Sequence, residues 1–382
     1  MNMSDAFDPG AADSDADETV AALALSLAQG VGPKLQTVLV EHFGSPRQVL
    51  AQSCEALLAV PGIGEKVARG LVGSELLAAG AALHQQCRQQ NITLLRKDQA
   101  GFPRRLREIC DPPAVIYCRG SLLPQDELAI AIVGSRRCTL YGRRQAERLA
   151  AGLARAGFTI VSGLARGIDA AAHCGALNAG GRTLAVMASG VLDIYPPEHA
   201  DLAGDISRQG ALISEMPPDQ KPRPGLFPQR NRLISGLCLG IIVVEATRTS
   251  GSLYTARHGL EQGREVFAVP GNIDSLASEG CHALIRDGVT LIRGADDVLA
   301  ELGPLATPAC PSPEITVHHP RELVLYAIES EILNGIGTAA VHVDDIVRAT
   351  QLESSRVLAT LTVLEMRRFV RRLPGNLFVR PD

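Results

Sequence analysis

The runs "LAIAIVG" (residues 128–134) and "GIIVVEA" (residues 240–246) decide the fold. Both are apolar at nearly every position, without the alternation of a half-exposed strand. A strand of that kind has both faces covered, as in a parallel sheet with helices on either side. Working outward, strand-like runs are expected at 115–118, 128–133, 159–162, 183–187, 211–214, 240–245, 265–269 and 290–292. Helical patterns fall between them, at 141–156, 167–179, 197–209, 229–237 and 252–262. The class is α/β: a Rossmann-like, doubly wound, mostly parallel sheet over residues 99–302. Its ligands are expected beyond the C-terminal ends of the strands.

Two helical units flank this sheet. Residues 19–98 read as an all-α domain with two short turns, "GVGPK" (30–34) and "PGIGEK" (61–66). Each has the spacing of a helix-hairpin-helix (SAM-like) turn, where backbone N–H groups at a helix start can hold a phosphate. Lys34 and Lys66 stand just beyond. A second reading keeps the same turns as caps in a protein-packing module. Residues 1–18 carry six acids and no Lys or Arg, and read as a disordered acidic tail. Residues 303–320 hold five prolines and read as a linker. Residues 321–382 then read as helix ("RELVLYAIES"), helix–turn–helix, and a hairpin around Pro374-Gly375-Asn376, the winged-helix pattern. Their eight basic and eight acidic residues make this unit electrically balanced.

Four segments could carry chemistry. After the first run come Gly134, Ser135, Arg136 and Arg137, which fit neither G-x-x-x-x-G-K-[ST] nor G-x-G-x-x-G. Where a dinucleotide site has glycines, this loop has guanidinium groups suited to phosphate. The second is "IVSGLARGIDAAAH" (160–173), with Ser162, Gly163 and Arg166 at a strand-to-helix turn. Asp169 and His173, one helical turn apart, could form an acid–base or metal pair. The plainer reading makes them scaffold, since no third or fourth metal ligand is spaced to join them. The third, "KPRPGLFPQRNRLISGL" (221–237), surrounds Phe227 with Lys221, Arg223, Arg230, Asn231 and Arg232. Cations beside one ring suit a single nucleic-acid strand. Alternatively Phe227 plugs the core and an arginine pairs with Glu245. The fourth places Ser250, Gly251, Ser252 and Thr255 at a helix start, where they could cap it or bond phosphate oxygens. Glu245 before it is expected to neutralise a buried Arg rather than act in catalysis.

Net charge is −4, so any nucleic-acid contact must be local. The nine Cys include no C-x-x-C pair, which argues against a disulfide scaffold or zinc knuckle and for reduced, cytoplasmic thiols. No secretory signal and no apolar run of bilayer length is read from the chain. With no Trp and 3% aromatics, extended stacking surfaces are not expected.

Taken together, "FPRRLREICDPPAVIYCRG", "AIVGSRRCTLYG", "VSGLARGIDAAAH", "FPQRNRLISGL", "VVEATRTSGSLYTARHGLEQGREVFAVPG" and "LIRDG" resemble the DNA processing protein A (DprA/Smf) family over about residues 100–295. The resemblance implies a non-enzymatic, cofactor-free protein that binds single-stranded DNA entering during natural transformation. It implies protection of that strand, loading of the RecA recombinase onto it, and a homodimer formed through the Rossmann-like domain. It puts the DNA pocket on Gly134, Ser135 and Arg136, on Ser162, Gly163 and Arg166, and on the loop with Phe227 and Asn231. Some relatives carry a Lys just before the Gly-x-Phe of that loop; here Pro224 stands there, with Arg223 and Lys221 alongside. Two alternatives stay open: a nucleotide phosphoribohydrolase, although "SGSLYTA" replaces the P-G-G-x-G-T loop such enzymes use, and a winged-helix regulator.

Overall fold

The computed structural model describes residues 9–302, 332–333, 335–336, 341–350, 352, 354–366, 369–373, 375 and 377–380. The expected linker 303–320 and the helix "RELVLYAIES" lie outside the described residues.

The first helices are α1 (Pro9–Leu27), α2 (Pro33–Phe43), α3 (Pro46–Leu50), α4 (Cys54–Leu58), α5 (Glu65–Leu71) and α6 (Ser74–Gln89). In both glycine turns the first glycine takes a left-handed backbone (Gly30 φ 81°, Gly62 φ 90°). The second, Gly32 or Gly64, is the extended N-cap of the next helix. A side chain at Gly30 would press on Val67, so the first turn packs against α5, the helix that follows the second. The acidic stretch expected to be disordered is helical from Pro9, and residues 1–8 lie outside the described ones. Its acids find cations: Asp15 pairs with Arg96 at 2.8 Å and Asp17 with Arg47 at 3.5 Å.

The sheet has nine strands: β1 (Thr93–Arg96), β2 (Val115–Gly120), β3 (Ala129–Val133), β4 (Thr159–Ser162), β5 (Thr183–Val186), β6 (Ala211–Ser214), β7 (Gly240–Val243), β8 (Glu265–Ala268) and β9 (Thr290–Leu291). Their order is β1-β2-β6-β5-β4-β3-β7-β8-β9. Strands β6 to β9 run parallel; β2 is antiparallel to β6 and to β1. Thus β1 joins the sheet, although it falls inside the stretch expected to be all-α.

Strand side chains divide between two layers. Ala129, Ala131 and Val133 face one core with α7 (Arg104–Arg107), α11 (Leu226–Gly236), α12 (Ser252–Glu261) and α13 (Glu279–Arg286). Ile130 and Ile132 face the other with α8 (Leu140–Arg155), α9 (Ile168–Asn178) and α14 (Ala295–Leu302). Further along that second face, α10 (Ala200–Gln209), α1 and α6 cover β2, β5 and β6. Burying each such isoleucine contributes about 1.5–3 kcal/mol, so both layers are needed.

From β3 the chain winds outward through β4, β5 and β6 on one side, and from β7 through β8 and β9 on the other. The winding reverses between β3 and β7, where doubly wound sheets open a crevice at their C-terminal edge. The last unit holds β10 (Val341–His342), α15 (Val343–Thr350), α16 (Ser354–Met366), β11 (Arg371–Leu373) and β12 (Leu377–Val379). Its three-stranded sheet beside a helix pair is a winged-helix arrangement around Ile346, Val357, Leu361 and Phe378.

Candidate nucleic-acid interface

A cleft of about 520 Å³ lies at that crossing point. Loop 134–137 after β3 forms one wall, loop 247–252 after β7 another, and the first turn of α11 a third. The starts of α9, α11 and α12 thus contribute Ala165 and Asp169, Phe227 and Pro228, and Ser252 and Thr255. Helix starts carry unsatisfied N–H groups and a partial positive charge, which favours anions.

The arginine loop is stitched on both sides. Ser135 N–H donates to the Glu245 carbonyl (2.7 Å), and Ile168 N–H donates to the Ser135 carbonyl (3.2 Å). Its own Oγ takes the Arg137 N–H (3.1 Å). Gly167, at φ 79°, lies so close to the backbone of Ser135 and Arg136 that a Cβ would collide. Arg136 projects from this support with its guanidinium 4.7 Å from the centre of the Phe227 ring. Tyr195 meets the same ring edge-on at 5.9 Å. A side recess sharing Arg136, Ala165 and Phe227 adds Gly163, Arg166, Tyr195 and Pro196. The result is a cation-and-ring surface open to solvent, able to take a phosphate beside a base.

Gly134, Ser135, Arg136, Arg137, Phe227, Arg230, Asn231, Ser250, Gly251, Ser252 and Thr255 all line the cleft, and Gly163 and Arg166 the recess. Arg230 forms its floor. Its Nη1 donates to the carbonyls of Gly163 (2.7 Å) and Val186, and its Nε to Asn231 Oδ1 (3.2 Å). Burial brings its pKa down to about 10, so it stays charged at neutral pH. Asn231 in turn donates to the Gly251 carbonyl (3.2 Å), tying α11 to the α12 start.

Three expectations need correction. Ser162 is fully buried and its hydroxyl donates to the Ile132 carbonyl (2.6 Å), so it joins two strands and reaches no ligand. Arg232 points away from the cleft and pairs with Asp111 (3.0 Å) and Glu215 (2.7 Å). Glu245 neutralises no arginine: its carboxylate takes the Thr139 N–H (2.8 Å) and hydroxyl (2.6 Å), fixing the start of α8. Lys221 and Arg223 are exposed but do not line the cleft. Missing from the sequence reading are Tyr195 and Tyr254, and Thr247 on the loop after β7. Tyr195 precedes two prolines, the one visible sign that it is held in place.

Asp169 and His173 are scaffold. The Asp169 carboxylate accepts from the N–H groups of Gly163 (3.1 Å) and Ala165 (3.4 Å), holding the turn; burial raises its pKa. His173 Nδ1 lies 2.7 Å from Thr183 Oγ1, whose proton goes to the Ile160 carbonyl. Nδ1 is therefore the donor, and Nε2 is buried without a partner. Burial pushes the imidazole pKa down to about 3. Since the unfolded ring takes a proton near pH 6.5 and the folded ring does not, this contribution is complete above that pH. It is lost as pH falls towards 3, at about 1.4 kcal/mol per pH unit. Urea titrations of the wild type and His173→Gln at pH 7 and pH 5 should show the variant losing less stability over that interval. Equal losses in both would mean that His173 titrates normally.

Among the described residues no three His, Cys, Asp or Glu side chains are placed to hold a metal ion. Nor is any described helix long and apolar enough to cross a membrane. A family model described as DNA recombination-mediator protein A matches residues 93–303. A DprA winged helix domain model matches residues 319–376, and a SAM-like helix-hairpin-helix tandem model residues 22–75. Protein Smf of Escherichia coli (strain K12) is 38% identical over 289 residues, spanning 75% of this chain and 77% of that protein. The DNA processing protein DprA of Bacillus subtilis (strain 168) is 44% identical over 216 residues, 56% of this chain and 73% of that one. The X-ray structure of DNA processing protein A from Streptococcus pneumoniae superposes with a TM-score of 0.65 at 33% identity, covering 75% of this chain and 97% of that chain. One from Helicobacter pylori, solved for its single-stranded DNA binding mode, gives 0.51 at 29% identity, covering 56% and 97%.

Proposed function

We propose, for a chain that belongs to the DNA recombination-mediator protein A family, that the cleft between β3 and β7 grips the backbone of single-stranded DNA. The observation that carries this is Arg136, its guanidinium 4.7 Å from the centre of the Phe227 ring, with both side chains lining the cleft. A guanidinium for phosphate and a ring for a base stand side by side, with Arg137 and Arg166 extending the cationic track. We take the protein to shield a strand entering during natural transformation and to load RecA onto it. It would do so in the cytoplasm, as a homodimer and without a cofactor. The exposed apolar side chains Ile273, Leu276 and Leu291 around the ends of β8 and β9 support a dimer face on this domain. An enzymatic reading would need a free carboxylate at the cleft; the carboxylate that lines it, Asp169, is engaged by the N–H groups of Gly163 and Ala165, which favours a binding role.

Fluorescence anisotropy of a labelled oligo-dT strand tests the grip. Three to four phosphate contacts predict roughly a 20- to 50-fold loss of affinity between 50 and 200 mM salt, on a slope of about 0.7 per contact. Affinity indifferent to salt would remove the phosphate track. Nuclease protection of the bound strand, with and without RecA, then reads shielding and loading separately.

A further inference from the structure

Beside the arginine–aromatic surface, Arg166 is already occupied. Its Nε donates to a carboxylate oxygen of Glu198 in a short contact, although both side chains are half-exposed. Glu198 is not there by the accident of a long side chain. The segment Tyr195 to His199 is folded across the β4–α9 turn, with His199 Nδ1 donating to the Leu164 carbonyl (2.9 Å). Tyr195, three residues before Glu198, lies on the Phe227 ring that carries Arg136. One short segment therefore supplies an aromatic edge to the recess and an anion to one of its cations. Glu198's carboxyl is held below its usual range, chiefly by Arg166, so it is charged whenever DNA would bind.

A carboxylate and a phosphate offer a guanidinium the same paired acceptor oxygens. We propose that Glu198 occupies Arg166 as an internal stand-in for phosphate, so that an incoming strand must displace it to gain that contact. Glu198 is thus an affinity-setting residue of the site, and this inference rests on the DNA-binding reading above. Where Arg136 is free to meet the strand, Arg166 joins only in exchange for Glu198. The grip is consequently weaker than the count of cations suggests.

Glu198→Gln keeps the shape and removes the competing charge. In anisotropy titrations of the full chain with oligo-dT, it should tighten binding about 3- to 10-fold. Arg166→Ala should weaken binding and lower the salt slope, and Glu198→Gln placed on Arg166→Ala should give no gain. The alternative is that Glu198 merely positions Arg166. In that case Glu198→Gln weakens binding or leaves it unchanged, or the gain persists without Arg166, and either result overturns the proposal. Arg136→Glu serves as the control for the underlying reading. If it leaves binding intact, the cleft itself is misassigned; if it abolishes binding while Glu198→Gln brings no gain, only the competition is refuted. Thermal unfolding of each variant shows that the fold is kept.

Discussion

Arg136→Glu is expected to raise the Kd for a labelled single strand more than about 100-fold, with little change in the unfolding midpoint. The size follows from two losses: a charge-assisted hydrogen bond contributes about 1.5–3 kcal/mol, and the new carboxylate repels the phosphates that remain. Together they exceed the roughly 2.7 kcal/mol that corresponds to 100-fold. Stability is spared because Arg136 is exposed and its surroundings are held by main-chain bonds through Ser135, which the substitution leaves intact. Arg136→Lys should fall between the two, since an ammonium keeps the charge but not the flat face over Phe227. Anisotropy and thermal melts decide it; binding within threefold of wild type would show that the strand does not pass this loop.

Arg232→Ala has the opposite profile, a large loss of stability with the binding surface untouched. Arg232 is buried and joins Asp111 on α7's side of the sheet to Glu215 after β6. Burial raises the pKa of Glu215, and Arg232 is the group that opposes this. Removing the guanidinium leaves two carboxylates short of their counter-charge, a cost of about 3–5 kcal/mol for breaking a buried pair. Urea denaturation should show that loss, and Glu215→Gln added to it should recover part. The protein that remains folded should bind oligo-dT as wild type does. A selective loss of affinity without destabilisation would instead put Arg232 on the DNA.

These two arginines show how far the sequence can be read. "RNR" at 230–232 looks like one cationic patch, yet residues two apart on a helix point about 200° away from each other. Arg230 goes to the cleft floor and Arg232 to the opposite side, and which is which depends on packing that no local pattern encodes. The parallel strands were legible because burial on both faces leaves continuous apolar runs such as 128–134. The direction of β2 was not, since "VIYC" reads the same either way, and β1 is only four residues long. Loop 134–137 was legible as an arginine loop at the sheet's C-terminal edge, because arginines occupy positions where nucleotide folds have glycine, and the structure sets it on the cleft wall. Tyr195 was not, because its neighbour Phe227 lies 32 residues further along the chain and only the fold brings their rings together. Glu245 was misjudged for a related reason. Its partner proved to be a hydroxyl and an N–H at Thr139, which composition does not single out.

The bonds on either side of Ser135 would decide which strands the proposed site holds best. With its main chain tied to Glu245 just after β7 and to the start of α9, the loop has its shape before any ligand arrives. On the proposed reading, adaptation would fall on the nucleic acid, which would have to bend and unstack to follow a contour set in advance. A pliant pyrimidine run conforms at small cost, whereas a stacked purine run must first be opened. A preference for one composition over another would therefore arise from the stiffness of the DNA, with no base edge being read.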